Sequence, residues 1–238
     1  MRNITHKTSY MASALALVLV LSLVLAACAS QPSSNGVQID WVDFIRFGGI
    51  TYTTSPVGAG HALNASDLGS VFATVSFKLE GNVQDPGYQS KDGDAAFLNP
   101  GTKVYVVKGY NPTFRLAAYQ NGTIHLYESD TNPHAKVGAD LLDIGGKVLY
   151  IGINSDQDGT TELAAVKDSK QISMLVDMIL KAPVNQNYQS KGSKRYFIDF
   201  HLLDGTSVIR AYWPDSGELS RGILLPPAFA TVIKQALR

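Results

Sequence analysis

The chain has 238 residues, with 20 basic and 20 acidic side chains and a formal net charge of zero. That balance excludes the clustered positive charge that binding a nucleic-acid backbone requires. A lone cysteine excludes an intrachain disulfide, so packing alone must hold the fold. The first predicted element is a short basic segment with Arg2 and Lys7, followed by an unbroken small and aliphatic run from Met11 to Ala27. A basic stretch, an apolar stretch and a small-residue end, in that order, are the marks of an export signal.

The run closes on Leu25-Ala26-Ala27-Cys28, and Cys28 is the single cysteine. This tetrapeptide resembles the lipobox of bacterial lipoproteins at all four positions. The resemblance implies cleavage before Cys28 and a thioether-linked diacylglycerol on its sulfur, and it covers the N-terminal segment alone. Two acyl chains anchor a protein stably, where one holds it only marginally. The competing reading is an uncleaved transmembrane helix, but Met11 to Ala27 falls short of the about 20 residues usual for a span. Arg2 and Lys7 precede Cys28, so the chain from Cys28 onward carries 18 basic against 20 acidic residues, a net charge of −2.

Residues 1–27 are therefore expected to be a signal peptide and 28–38 a small, polar, turn-rich tether. A mainly β subdomain is expected over 39–130, a connector over 131–146 and an α+β subdomain over 147–238. Val71 to Leu79, Lys103 to Val107 and Phe114 to Tyr119 read as strands, being β-branched and aromatic. Asn121-Gly122 separates the last of these from Ile124 to Glu128. Both turn positions need positive φ, so Asn-Gly is a strong hairpin signal. The two-residue loop sets Gln120 against Thr123, Ala118 against His125 and Arg115 against Glu128. The last pair puts opposite charges across the ladder, which supports the register.

In the second half, Val148 to Asn154 and Glu162 to Lys167 flank Asp158-Gly159, a second hairpin. Asp168 or Ser169 then caps a helix running to about Lys181. Ile172, Leu175, Val176 and Ile179 form its apolar stripe, and Pro183 stops it. Tyr196 to Leu203 and Thr206 to Trp213 flank Asp204-Gly205, a third hairpin, and Leu219 to Leu225 adds a strand. Pro226-Pro227 opens a last helix with Phe229, Val232, Ile233 and Leu237 on one face. The expected fold is α+β: an antiparallel, β-rich N-terminal half and a ββαββ(β)α C-terminal half with its helices packed on one sheet face. Tyr-Gln-Ser-Lys occurs at Tyr88–Lys91 and Tyr188–Lys191, but no wider repeat accompanies it.

Asp199, His201 and Arg210 are the strongest polar candidates. A two-residue turn at Asp204-Gly205 pairs Asp199 with Arg210 and His201 with Val208, placing acid, imidazole and guanidinium on one face. They then form either an anion or proton-transfer site, or a cross-strand ion pair worth about 0.2–1 kcal/mol. Asn154, Asp156 and Asp158, with Gly159 next, match the first half of a calcium loop. The glutamate expected at its twelfth position is Ala165, and a plain Asp-Gly turn explains the same residues. Gly58-Ala59-Gly60-His61-Ala62-Leu63 departs from a dinucleotide loop at Leu63, and Gly146-Lys147 from a phosphate loop at Leu141. His61, His125, His134 and His201 have no metal-ligand spacing, and no cofactor is expected.

The lipobox with a compact α+β body is similar to many uncharacterised small lipoproteins of Gram-positive bacteria. That resemblance implies display on the outer face of the cell membrane, held there by the lipid. The leading functional reading is a tethered binding or protein-interaction module of the envelope, its partner an envelope protein or a small ligand and not nucleic acid. The alternatives are a hydrolase-type enzyme with His201 as acid–base group and a factor for envelope or spore assembly. Radiolabelled or clickable palmitate is predicted to label the parent and not Cys28→Ser; equal labelling of both would remove the lipoprotein reading.

Overall fold

A computed structural model describes residues 39–54, 63–188, 192 and 194–238. The expected signal peptide, the tether and Cys28 lie outside the described residues, as do His61 and most of the second Tyr-Gln-Ser-Lys copy. Among the described residues the architecture is mixed α and β, with antiparallel sheets dominating two helices. Among the described residues no helix is long and apolar enough to cross a membrane.

The first sheet contains β1 (Phe44–Phe47), β2 (Ile50–Thr54), β3 (Leu68–Thr74), β4 (Phe77–Lys78), β5 (Asp94–Ala95), β6 (Lys103–Val107), β7 (Arg115–Gln120) and β8 (Thr123–Thr131). Its order is β3-β6-β7-β8-β2-β1-β5-β4. The two end strands are one stretch of chain, broken only at Val75 and Ser76. At that break Val75 N–H donates to Thr102 O and Ser76 N–H to Gly93 O, so the stretch is tied to both margins. The two margins of the sheet are thus brought together at Val75 and Ser76, while β3 pairs along its length with β6 and β4 with β5. Tyr52, Leu98, Val104, Leu116 and Tyr127 fill its interior and are fully or almost fully buried. The continuous strand expected over Val71 to Leu79 is therefore two, because one segment must pair on both sides.

The Asn121-Gly122 hairpin has the expected register, Arg115 opposite Glu128 and Gln120 opposite Thr123. Both turn residues have positive φ, 54° at Asn121 and 81° at Gly122.

The second sheet contains β9 (Val148–Asn154), β10 (Glu162–Val166), β11 (Tyr196–Leu202), β12 (Ser207–Trp213), β13 (Glu218–Leu219) and β14 (Ile223–Leu224), in the order β10-β9-β11-β12-β13-β14. Helix α1 (Ser169–Lys181) is capped by Asp168, whose Oδ1 accepts the Gln171 N–H at 2.9 Å. Its stripe of Ile172, Leu175, Val176 and Ile179 is buried in one core with Ile151, Ile153, Ile198, Phe200 and Val208. Helix α2 (Pro227–Ala236) begins with Pro227 and adds Phe229 and Ile233 to that core.

Two expectations for this sheet are corrected. Leu219 to Leu225 is not one strand but the β13–β14 hairpin, turning through Ser220, Arg221 and Gly222. The Asp204-Gly205 loop holds three residues, Leu203 to Gly205, because Leu202 N–H donates to Thr206 O. Gly205 takes the left-handed position at φ 82°. Asp204 stabilises this turn by accepting the Thr206 N–H and hydroxyl through Oδ1, at 2.9 and 2.7 Å. The extra loop residue shifts the ladder by one, so Asp199 faces Ile209 and Ile198 faces Arg210. Asp199 and Arg210 therefore lie on opposite faces of the sheet.

Gly138 sits where α1 ends: its N–H donates to Ala182 O, and an added Cβ would fall 2.0 Å from the Ile179 carbonyl oxygen. Gly138→Ala is predicted to cost roughly 3 kcal/mol or more, because that neighbour is backbone and must move. Gly122→Ala, where nothing lies within 4 Å of the added carbon, is predicted to cost only the about 1–2 kcal/mol of left-handed strain. Urea denaturation of the two variants measures the order.

Candidate binding site

β12 meets β13 only at Tyr212 and Trp213, so its earlier residues present an open edge. The carbonyls of Ser207, Ile209 and Ala211, two residues apart, point along that edge. Each has a donor. Ser207 O accepts Arg115 Nη2 at 3.1 Å, Ile209 O accepts Arg210 Nη1 at 2.9 Å, and Ala211 O accepts the Ser220 N–H at 2.7 Å.

Arg115, from β7 of the first sheet, is 0 % exposed. Its Nε and Nη2 donate to Glu128 Oε1 at 3.1 and 2.6 Å, and its Nη1 to Thr206 Oγ1 at 2.8 Å. The Tyr110 and Phe114 rings lie 4.8 and 5.1 Å from the guanidinium carbon, giving the cation further electrostatic support. Glu128 uses its other oxygen for the second sheet: Oε2 accepts Arg210 Nη1 at 3.1 Å. One carboxylate thus bridges two arginines from two sheets. Burial pushes the Glu128 pKa up, but Arg210 and Arg115 outweigh it and hold the carboxyl below its ordinary value.

A third arginine completes the cluster. Arg221 lies in the β13–β14 turn with φ 75°, a left-handed conformation rare for a non-glycine residue. Its Nη1 lies 2.5 Å from Asp130 Oδ1, the carboxylate two residues beyond Glu128 on β8. Burial first and the Arg210 charge second push its pKa down to about 10, so it stays protonated at neutral pH. Arg210 Nη2 and Arg221 Nε are both buried and have no hydrogen-bond partner among the described residues.

These two arginines line a cleft of about 420 Å³. Phe197, Ile209 and Ala211 supply apolar wall, and Thr53 and Thr54 at the end of β2 supply hydroxyls. The Arg195 guanidinium sits 4.7 Å over the outer Phe197 ring. Asp158 also lines the cleft, and hydrogen bonds from Thr161 and then Thr160 hold its pKa down to about 2.

The residues singled out in the sequence are distributed differently from the expectation. His201 Nε2 lies 3.2 Å from Asp199 Oδ2, so these two do meet on one face. Tyr150 stacks on the imidazole at 4.0 Å and 9°. Burial raises the Asp199 pKa, with the His201 charge acting against it. Arg210 belongs instead to the Glu128 cluster. Asn154 Nδ2 donates to Gly159 O, Asp156 Oδ1 pairs with Arg195 Nε, and both Asp158 oxygens accept from Thr160 and Thr161. Among the described residues no three His, Cys, Asp or Glu side chains are grouped as metal ligands would be. Arg221 was not a candidate in the sequence, since its role depends on a turn and on a strand 91 positions earlier.

Glu128→Gln is predicted to destabilise the fold by about 3–5 kcal/mol, the usual cost of leaving buried charges uncompensated. The pH dependence carries a sign. Because the folded carboxyl titrates below its ordinary value of 4.5, its contribution is complete above 4.5 and is lost as pH falls through the lower folded value. The gap in urea midpoint between parent and Glu128→Gln is therefore predicted to be widest near neutral pH and to narrow as pH falls below 4.5.

Comparison with known protein families, with curated proteins and with solved structures finds no match to this chain.

Proposed function

We propose that this chain is a lipid-anchored extracytoplasmic binding module, tethered through Cys28, whose body takes up a small ligand in the arginine-lined cleft. The observation that carries the reading is a cleft of about 420 Å³ lined by Arg210 and Arg221, whose Nη2 and Nε have no hydrogen-bond partner among the described residues. A buried polar group without a partner costs free energy, and a ligand that supplies the missing acceptors recovers it. The cleft volume lies within the usual range for small-molecule sites. We read the C-terminal half as a ββαββ(β)α unit with both helices on one sheet face, leaving the opposite side for recognition. The near-neutral composition supports a partner other than nucleic acid, and the lipobox supports attachment to the cell membrane.

A second reading has its own support. Asp199 orients His201, which is 32 % exposed, as an acid–base group would need. The Ser207 side chain, opposite His201 in the ladder, hydrogen-bonds Asp199 and is 2 % exposed, so it is not presented to a substrate and an enzyme is the weaker proposal. An assembly role in the envelope would need a broad protein-docking face rather than a cleft.

Photo-crosslinking in intact cells from a benzoylphenylalanine at position 54, beside the cleft, tests the binding reading. The full chain is predicted to capture a small molecule or a partner there and to do so equally well as His201→Ala. Capture that disappears with His201→Ala in a stably folded variant would move the function to the Asp199–His201 pair. No capture in the native membrane would remove the binding reading.

A further inference from the structure

Building on the cleft as the binding site, we infer that its ligand is a small organic carboxylate, an anionic head on an apolar body, held by the guanidiniums of Arg210 and Arg221 that line it.

The polarity of the unmet groups decides the head. Both are N–H donors, and both belong to permanently charged guanidiniums. The Glu128 carboxylate already serves Arg115 and Arg210, and Asp130 serves Arg221, while Glu218 Oε2 on the far side of Arg221 is itself unpartnered among the described residues. The two guanidiniums also repel each other, and an anion lodged between them relieves that repulsion. The planar fork of arginine suits the two oxygens of a carboxylate.

The number of charges follows from the same walls. Glu128 and Asp158 line the cleft beside the arginines. Hydrogen bonds within the Asp158 turn keep that carboxyl ionised at ordinary pH. A doubly charged phosphate would meet both carboxylates more strongly than a single negative charge does, because the two arginines and the two carboxylates of the lining already cancel formally. The neighbouring cleft of about 180 Å³ holds Asp130 and Glu218 around the other side of Arg221, and it adds further negative charge against a dianion. The body of the ligand follows from Phe197, Ile209 and Ala211, an aromatic and two aliphatic surfaces that would be left wet by an inorganic ion. The strained φ of Arg221 fits this role, because the turn holds the guanidinium over the cleft at the expense of local backbone conformation.

Isothermal titration calorimetry on the full chain in a non-denaturing detergent tests the assignment with three probes: benzoate, benzamide of the same shape without the charge, and inorganic phosphate. Benzoate is predicted to bind at least tenfold more tightly than benzamide, with phosphate weaker than benzoate. Arg221→Gln should reduce benzoate affinity to that of benzamide. Ala211→Phe fills the cleft from a partly exposed wall position without touching the ions, and should abolish binding at an unchanged melting temperature. It keeps the test decisive if Arg221→Gln folds poorly. Equal binding of benzoate and benzamide, lost in Ala211→Phe, would overturn the carboxylate assignment while leaving a binding cleft in place. Preference for phosphate, benzoate binding indifferent to both variants, or no binding of any probe at millimolar concentration would each overturn it.

Discussion

The open edge of β12 is the constraint around which this protein is organised. A strand edge left bare inside a fold exposes carbonyls that need donors. Here the donors at Ser207 and Ile209 are guanidiniums, and both guanidiniums are held by Glu128. The first sheet supplies Arg115 and Glu128, the second supplies Arg210, so one ion cluster closes the edge and joins the sheets. Burying three charges is costly unless their hydrogen bonds are met. Arg115 makes four, which is why it tolerates complete burial.

The functional reading grows out of what this cluster leaves over. Five N–H donors on each arginine exceed what a strand edge and two carboxylates take up. The surplus is gathered at one place, on Arg210 and Arg221, beside apolar wall. In the proposed reading, a rigid ion cluster beside apolar wall would serve as a pre-organised receptor, because little side-chain freedom remains to be lost when a ligand arrives. The Asp199–His201–Tyr150 stack lies on separate strands of the same sheet and shares none of these contacts.

Local signals in the sequence were legible wherever the structure obeys local rules. The Asn121-Gly122 turn, its register, and the stripe and cap of α1 all follow from neighbouring residues. Arg115 opposite Glu128 was legible as a cross-strand pair, but not as a buried one: nothing within β7 or β8 announces that β12 covers them. Arg210 was assigned to the wrong face by a single residue. Asp204-Gly205 reads as a two-residue turn, yet the Asp204 side chain stabilises a three-residue one, and period-two geometry converts that slip into a change of face. Arg221 was invisible because it acts through a left-handed turn position that sequence patterns assign to glycine, and Gly222 beside it masks the signal.

The account stands on Glu128 coupling the two arginines across the sheets. A double-mutant cycle between Arg115→Met and Arg210→Met, read by urea denaturation, measures that coupling directly. The shared carboxylate predicts non-additivity of about 0.5–3 kcal/mol, with the sign showing that the second loss is felt differently once the first has left Glu128 half-compensated. Additive costs within about 0.3–0.5 kcal/mol, as found for independent sites, would mean that the sheets are joined by packing elsewhere and that the ion cluster does not organise the cleft.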